Sequence, residues 1–88
     1  MDDLFRLCIV TGDATLLDTQ VKSVRLPTGF GSLGVLAHHA PMLCAVGKGV
    51  LRCIREDGSE TRIRVSDGVA SVDHNELTLL CSDAAVIE

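Results

Sequence analysis

The chain has no tryptophan and no tyrosine, and of the phenyl-bearing residues it holds only Phe5 and Phe30. Any interior it builds is therefore aliphatic. Long apolar runs are missing too: none approaches the roughly 20 residues that a helix needs to cross a bilayer. The opening Met1, Asp2 and Asp3 are acidic and lack the basic and apolar regions of a secretory signal. A cytoplasmic chain is expected, with any membrane association running through a protein partner. Basic charge is short, eight Lys and Arg against twelve Asp and Glu, for a net charge of −4. That balance excludes a general binder of nucleic acid or anionic membrane, which needs a basic stripe. Arg52, Arg55, Arg62 and Arg64 form the one local concentration. Acidic residues flank it, so it reads as a solvated strand face rather than a phosphate site.

Paired cysteines are also absent. None of Cys8, Cys44, Cys53 and Cys81 stands in a Cys-x-x-Cys knuckle, which removes the usual zinc signature. Cys8, Cys44 and Cys81 lie in the apolar contexts Leu-Cys-Ile, Leu-Cys-Ala and Leu-Cys-Ser, as small buried hydrophobes do. Reduced core thiols are expected in a cytosolic chain. A metal site from His38, His39 and Cys44 has no second ligand pair to complete it.

What the chain does have is apolar content. Hydrophobic residues make up 47% of its 88 positions, enough for one domain with a modest core and too much for disorder. Their spacing is that of strands. Residues 4–11 place Phe5, Leu7 and Ile9 on one face and Arg6, Cys8 and Val10 on the other. Gly12-Asp13 signals a turn. Residues 15–26 end in the alternating Val-Lys-Ser-Val-Arg-Leu before Pro27-Thr28-Gly29 breaks them. Residues 50–55 and 61–65 flank Glu56-Asp57-Gly58-Ser59, a strong hairpin turn. Further short strands follow at 69–73 and 76–81. A helix has room only at 82–88, which is too short to hold one alone. The expected fold is all-β: a small two-sheet β-sandwich of about eight to ten short strands, spanning residues 1–88 as a single domain.

Catalytic chemistry is not visible. Gly47-Lys48-Gly49 lacks the glycine spacing and following hydroxyl of a phosphate-cradling loop. No serine sits in a Gly-x-Ser-x-Gly elbow. His39 has apolar sequence neighbours and reads as a structural turn histidine. Asp67 and Asp73 flank one short strand and read as solubilising. No enzyme, cofactor or metal is implied. What stands out is residues 33–49, a glycine-punctuated apolar block in which Lys48 is the only certain charge. His38 and His39 just ahead of Pro41 suggest a structured bend, since the residue before proline is pushed from helical angles. Such a block is either core or covered by a partner, and its exposed part makes weak self-association of the isolated chain plausible.

The run Gly31-Ser32-Leu33-Gly34-Val35, then His39-Ala40-Pro41-Met42-Leu43, then Gly49 and a Leu/Val strand with Arg52, resembles the N-terminal β-sandwich of the epsilon subunit of F-type ATP synthase. That family shows Gly-x-Leu-Gly-Ile/Val, a short gap, Gly-His-Ala-Pro-Leu-Leu, and a Pro-Gly turn into a strand. Residues 7–11, 21–26, Ser66-Asp67-Gly68 and 77–84 fit the family's flanking segments, so the resemblance covers the chain in order.

The resemblance implies a non-catalytic rotor subunit of the central stalk. It grips the gamma subunit, rests on the c-ring, and couples ion translocation to ATP synthesis at the cytoplasmic face of a bacterial plasma membrane. By position it implies gamma-facing roles for Thr11, His38, His39, Ala40, Pro41, Met42 and Cys44. It implies c-ring-facing roles for Gly29, Phe30, Gly31, Ser32 and Leu33. Many relatives carry glutamate at Ser32; a rim ion pair is worth about 1 kcal/mol or less, so docking is expected to survive on Arg25, Lys22 or apolar packing. The family's glycine before His-Ala-Pro is His38 here, which costs backbone freedom if that position needs positive φ. The family's C-terminal helical hairpin would begin where this chain ends, so coupling without inhibition is expected, from a short natural form or from a piece of a longer subunit. The alternative is a β-sandwich adaptor unrelated to the synthase.

Overall fold

A computed structural model describes residues 3–12 and 14–87. They form nine strands and no helix: β1 (Phe5–Thr11), β2 (Ala14–Thr28), β3 (Gly31–Leu36), β4 (Met42–Val46), β5 (Gly49–Arg55), β6 (Glu60–Val65), β7 (Gly68–Asp73), β8 (Glu76–Cys81) and β9 (Ala84–Val86). Hydrogen bonds link them in the order β4-β7-β8-β1-β2-β5-β6-β9, with β3 on β2. The expected two sheets are thus one continuous ladder folded over at β2. That 15-residue strand pairs with β1 through its first half and with β3 and β5 through its second. One layer is β4-β7-β8-β1-β2 and the other β3-β2-β5-β6-β9.

The fold-over has a local cause. Strict alternation would put Val21 and Val24 on opposite faces, yet both are buried. A register shift against β5 between Val21 and Ser23 absorbs the extra residue, as a β-bulge does. The strand thereby keeps its apolar side inward while it passes between layers. Phe5, Leu7 and Ile9 of β1, with Leu77 and Leu79 of β8, then meet Leu26, Leu51, Cys53 and Ile63 of the other layer in a single core cluster. Phe5 is buried and Phe30 fully exposed, so the core is aliphatic with one aromatic ring.

Several boundaries differ from expectation. Pro27 does not end β2 but pairs with Ser32 inside it; near the strand end its missing N–H costs little, and its carbonyl accepts from Gly47 N–H at 3.1 Å. Within 82–88, expected to be too short for a helix alone, residues 84–86 form β9, which extends the β6 edge through Ile63–Val86 and Val65–Ala84; Glu88 lies outside the described residues. All four cysteines are free, but only Cys53 and Cys81 are buried, while Cys8 and Cys44 are half-exposed. Strand parity, not the polarity of flanking residues, decides which thiol points inward. The 56–59 hairpin turn forms as expected, with Gly58 at φ 92° and Asp57 Oδ1 accepting from Ser59 N–H and Oγ–H at 2.9 and 2.7 Å. Gly12 is left-handed at φ 54°; Asp13, its expected turn partner, lies outside the described residues.

Candidate partner-docking surfaces

The His-Ala-Pro bend joins β3 to β4. His38 adopts φ 63° and its N–H donates to Asn75 Oδ1 at 2.8 Å. Asn75 Nδ2 donates in turn to the Leu4 carbonyl at 2.8 Å, and the Asn75 carbonyl accepts from Arg6 N–H at 3.2 Å. One side chain in the β7–β8 turn therefore pins the bend to the start of β1. His74 and Asn75 both have positive φ, 51° and 61°, the geometry of a tight primed hairpin turn. His39 Nδ1 lies 2.7 Å from the Ala40 carbonyl, which can only accept, so that nitrogen carries the proton. Ala40 and Pro41 are exposed, and Met42 packs partly on the core.

Toward the end of β4 away from this bend, the outer face of the first layer carries an apolar row. Ala45, Val69, Leu80 and Val10 stand directly opposite one another across β4, β7, β8 and β1. Leu43 is 74% exposed, Leu80 56% and Val69 45%. The charged end of the same face is closed by Arg6. It makes a two-pronged bond to Asp18, Nε–Oδ1 2.8 Å and Nη2–Oδ2 2.6 Å, and reaches Glu76 Oε2 at 2.7 Å. The Arg6 hydrogen bond holds the Asp18 carboxyl below the usual carboxylate range, and Asp18 in turn raises Arg6.

The expected residues do not form one patch. Thr11 sits at the far end of β1, paired with Cys81 and Ala14. Seven residues at about 3.3 Å each separate it from the Leu4 end, where the bend lies. Cys44 is midway along the edge strand β4, opposite Ala70. His38, His39, Ala40, Pro41 and Met42 cluster; Thr11 stands apart from them, at the end of β1 where Val10 and Leu80 carry the apolar row. Leu36 and Leu43, both exposed, point outward from opposite layers, so the apolar part of residues 33–49 is divided between two faces.

The turn at 29–33 lies beyond the other end of β4, next to Gly47, where an added Cβ would be 3.7 Å from the Thr28 backbone. Gly29, Phe30, Gly31 and Ser32 are exposed and Leu33 half-buried. Thr28 Oγ1 braces the turn, accepting from Phe30 N–H at 3.1 Å and donating to the Gly31 carbonyl at 3.3 Å. Ser32 Oγ accepts from Arg25 Nη1 at 3.2 Å. Among the described residues no three His, Cys, Asp or Glu side chains converge in a metal-binding group.

The sequence model of the ATP synthase delta/epsilon chain β-sandwich domain matches residues 4–87. The chain belongs to this family. It is 41% identical over 78 residues to the chloroplastic ATP synthase epsilon chain of Piper cenocladum, covering 89% of this chain and 58% of that one. It is 42% identical over 76 residues to the epsilon chain of Synechococcus sp. strain JA-2-3B'a(2-13), covering 86% and 55%. The chain thus spans somewhat over half the length of these relatives. In solved structures the fold recurs in the Euglena gracilis mitochondrial ATP synthase, at TM-score 0.90 and 23% identity over 98% of this chain and 55% of that one.

Against the family pattern, the glycine replaced by His38 stands at a left-handed position, so the substitution carries backbone strain that glycine would avoid. The apolar partners on β7 and β8, Val69 and Leu80, and the clamp residue Asn75 escaped the sequence reading. A signal existed for the first pair: apolar residues at the outward parity of strands whose inward parity was already filled.

Proposed function

We propose that this chain is the β-sandwich of an ATP synthase epsilon subunit. In that role it is a non-catalytic rotor part that joins a gamma subunit to the membrane c-ring and helps couple ion translocation to ATP synthesis. The observation that carries the reading is the apolar row on the outer face of the first layer, linked along β4 by the exposed Leu43 to a rigidly pinned His-Ala-Pro bend. A contiguous apolar patch rimmed by polar groups marks an interaction site. The gamma subunit covers Leu43, Ala45, Val69 and Leu80 together with His39, Pro41 and the exposed edge at Cys44. The 29–33 turn, at the opposite end of β4, rests on the ring through Phe30 and the Arg25–Ser32 pair. The subunit is peripheral, on the cytoplasmic face of a bacterial membrane. No helix among the described residues is long and apolar enough to cross one.

The test is binding to the gamma subunit encoded with it, measured by interferometry for wild type, Leu80→Asp and His39→Asp. Full burial of a leucine is worth about 1.5–3 kcal/mol, and a charge in its place adds a desolvation cost. Leu80→Asp should therefore weaken binding at least about tenfold, with unchanged circular dichroism. His39→Asp should weaken it less, since His39 meets the partner at the rim. Absence of wild-type binding by a folded chain would sink the rotor reading in favour of an unrelated adaptor.

A further inference from the structure

On the outer face of the second layer, Arg25 of β2, Arg52 of β5 and Arg62 of β6 occupy one cross-strand row, each directly opposite the next. Arg64 follows on the same face, opposite Val50 on one side and Ala85 on the other. Like charges directly opposite one another destabilise a sheet. The chain's other outer face shows how it places an arginine for structure alone: Arg6 stands between carboxylates from both neighbouring strands. The row is built differently. Among the described residues Arg52 has one carboxylate, Glu60 at 3.1 Å, and Arg25 has only the Ser32 hydroxyl. Among the described residues Arg62 and Arg64 have no carboxylate partner; Asp83 borders the groove beside Arg64 without pairing to it. In a chain of net charge −4, the positive charge left without internal partners is concentrated here.

The surface between these guanidiniums is shaped rather than flat. Gly34, opposite Arg25, leaves a trough of about 360 Å³ bounded by Arg25, Arg52, Leu36, Ile54 and Glu60. Beyond Val50 a second, of about 440 Å³, runs between Lys48 and Arg64. Leu36, 65% exposed, and Val50, 36% exposed, flank the row. Adjacent strands stand about 4.8 Å apart and alternate residues of an extended chain about 6.8 Å apart. The spacing along an extended peptide laid across the row is the wider by about 2 Å per step, a difference that the long guanidinium and carboxylate side chains span. A small phosphate is served worse: it is bound by converging backbone N–H groups, and on a sheet face those are spent on the ladder.

We propose that this arginine face is a second docking surface, sharing only Arg25 with the ring-facing turn, and that its occupant is an extended acidic segment of a partner protein carrying Asp or Glu at alternate positions with apolar residues between. Guanidinium–carboxylate pairs are bidentate and directional, which sets the register, and the apolar flanks are covered at the same time.

The test uses the whole chain and a fluorescein-labelled ten-residue peptide alternating Glu and Val, read by anisotropy at low salt. Inorganic phosphate and phosphatidylglycerol vesicles serve as competing probes. Saturable binding of the peptide is expected, weakened at least about tenfold in Arg25→Gln/Arg62→Gln. Arg55→Gln should change it less than about twofold, because Arg55 bonds Thr61 Oγ1 at 2.7 Å away from the row; circular dichroism checks that each variant is folded. Equal loss in Arg55→Gln would reduce the effect to net charge and overturn the proposal. So would absence of peptide binding, displacement by millimolar phosphate, or preferential capture by the vesicles. Gamma binding measured on the same double variant should be unchanged, which separates failure here from failure of the rotor reading.

Discussion

Gly68→Ala should be among the most damaging single-methyl additions in the molecule, for a reason visible only in three dimensions. Gly68 opens β7 directly opposite Cys81 of β8. A Cβ there would lie 2.8 Å from both Cys81 Cα and Cβ, and closer still to the Leu80 carbonyl oxygen. These are atoms of a hydrogen-bonded strand and cannot rotate away, so either β7 or β8 must move. Overpacking a well-filled site costs about 1–3 kcal/mol, and more where backbone has to yield; about 3 kcal/mol is expected. For a domain this size each kcal/mol shifts Tm by roughly 4–8 °C, so a fall of roughly 12–24 °C follows. The assay is thermal and urea unfolding by far-UV circular dichroism, since the chain has no Trp or Tyr to report by fluorescence. Gly29→Ala is the control: nothing lies within 4 Å of its added Cβ, and a change within about 0.5 kcal/mol is expected. A Gly68→Ala Tm within 3 °C of wild type would refute the packing account, since that is less than one kcal/mol.

His38→Gly should raise stability by about 0.5–1 kcal/mol in the same assay, because relief of a left-handed side chain outweighs the added freedom of the unfolded chain. Asn75→Ala removes the bonds to His38 N–H and the Leu4 carbonyl; a loss of about 1–3 kcal/mol is expected, with faster amide exchange at His38. Arg6 depresses the Asp18 pKa in the folded chain, so this ion pair's contribution is present above the usual carboxylate range and disappears as pH falls through the depressed folded value. The Tm difference between wild type and Asp18→Asn at low salt should accordingly shrink on acidification. Burial pushes the Cys53 and Cys81 thiols up, so a thiol-disulfide reagent at pH 8 should label Cys8 and Cys44 first and the other pair only on unfolding.

Local pattern was readable where a strand keeps a single parity. Phe5, Leu7 and Ile9, or Ile63 and Val65, are inward as alternation demands, and Asp57-Gly58 turns where an Asp-Gly pair should. The reading stopped where distant pairing decides. The shift at Lys22 that buries both Val21 and Val24 is set against β5. The strand at 84–86 exists because β6 offers an open edge. Of the candidate surfaces, family pattern marked the His-Ala-Pro bend and the 29–33 turn. It did not mark Asn75, which acts through a contact 37 residues away in sequence. The arginine row joins residues that only strand order makes neighbours, and in the sequence three of its members merge with Arg55, which faces elsewhere.

A rotor joint has to transmit load between its contacts without a hinge, and β2 meets that demand under the proposed role. The 29–33 turn is the direct continuation of β2, which runs unbroken from Ala14 to Thr28 and pairs with β1, β3 and β5 along its length. Its first half lies against β1, and Asn75 fastens the His-Ala-Pro bend to the residue preceding that same strand. A displacement at the 29–33 turn is therefore carried by a laterally bonded strand to the His-Ala-Pro bend through one hydrogen-bonded clamp. The Gly47–Pro27 bond shortens the route further by tying the end of β4 to β2. Bending such a path requires breaking ladder bonds in both layers at once, and that cost approaches global unfolding. Compliance is left to the exposed turn tips at Phe30 and Pro41.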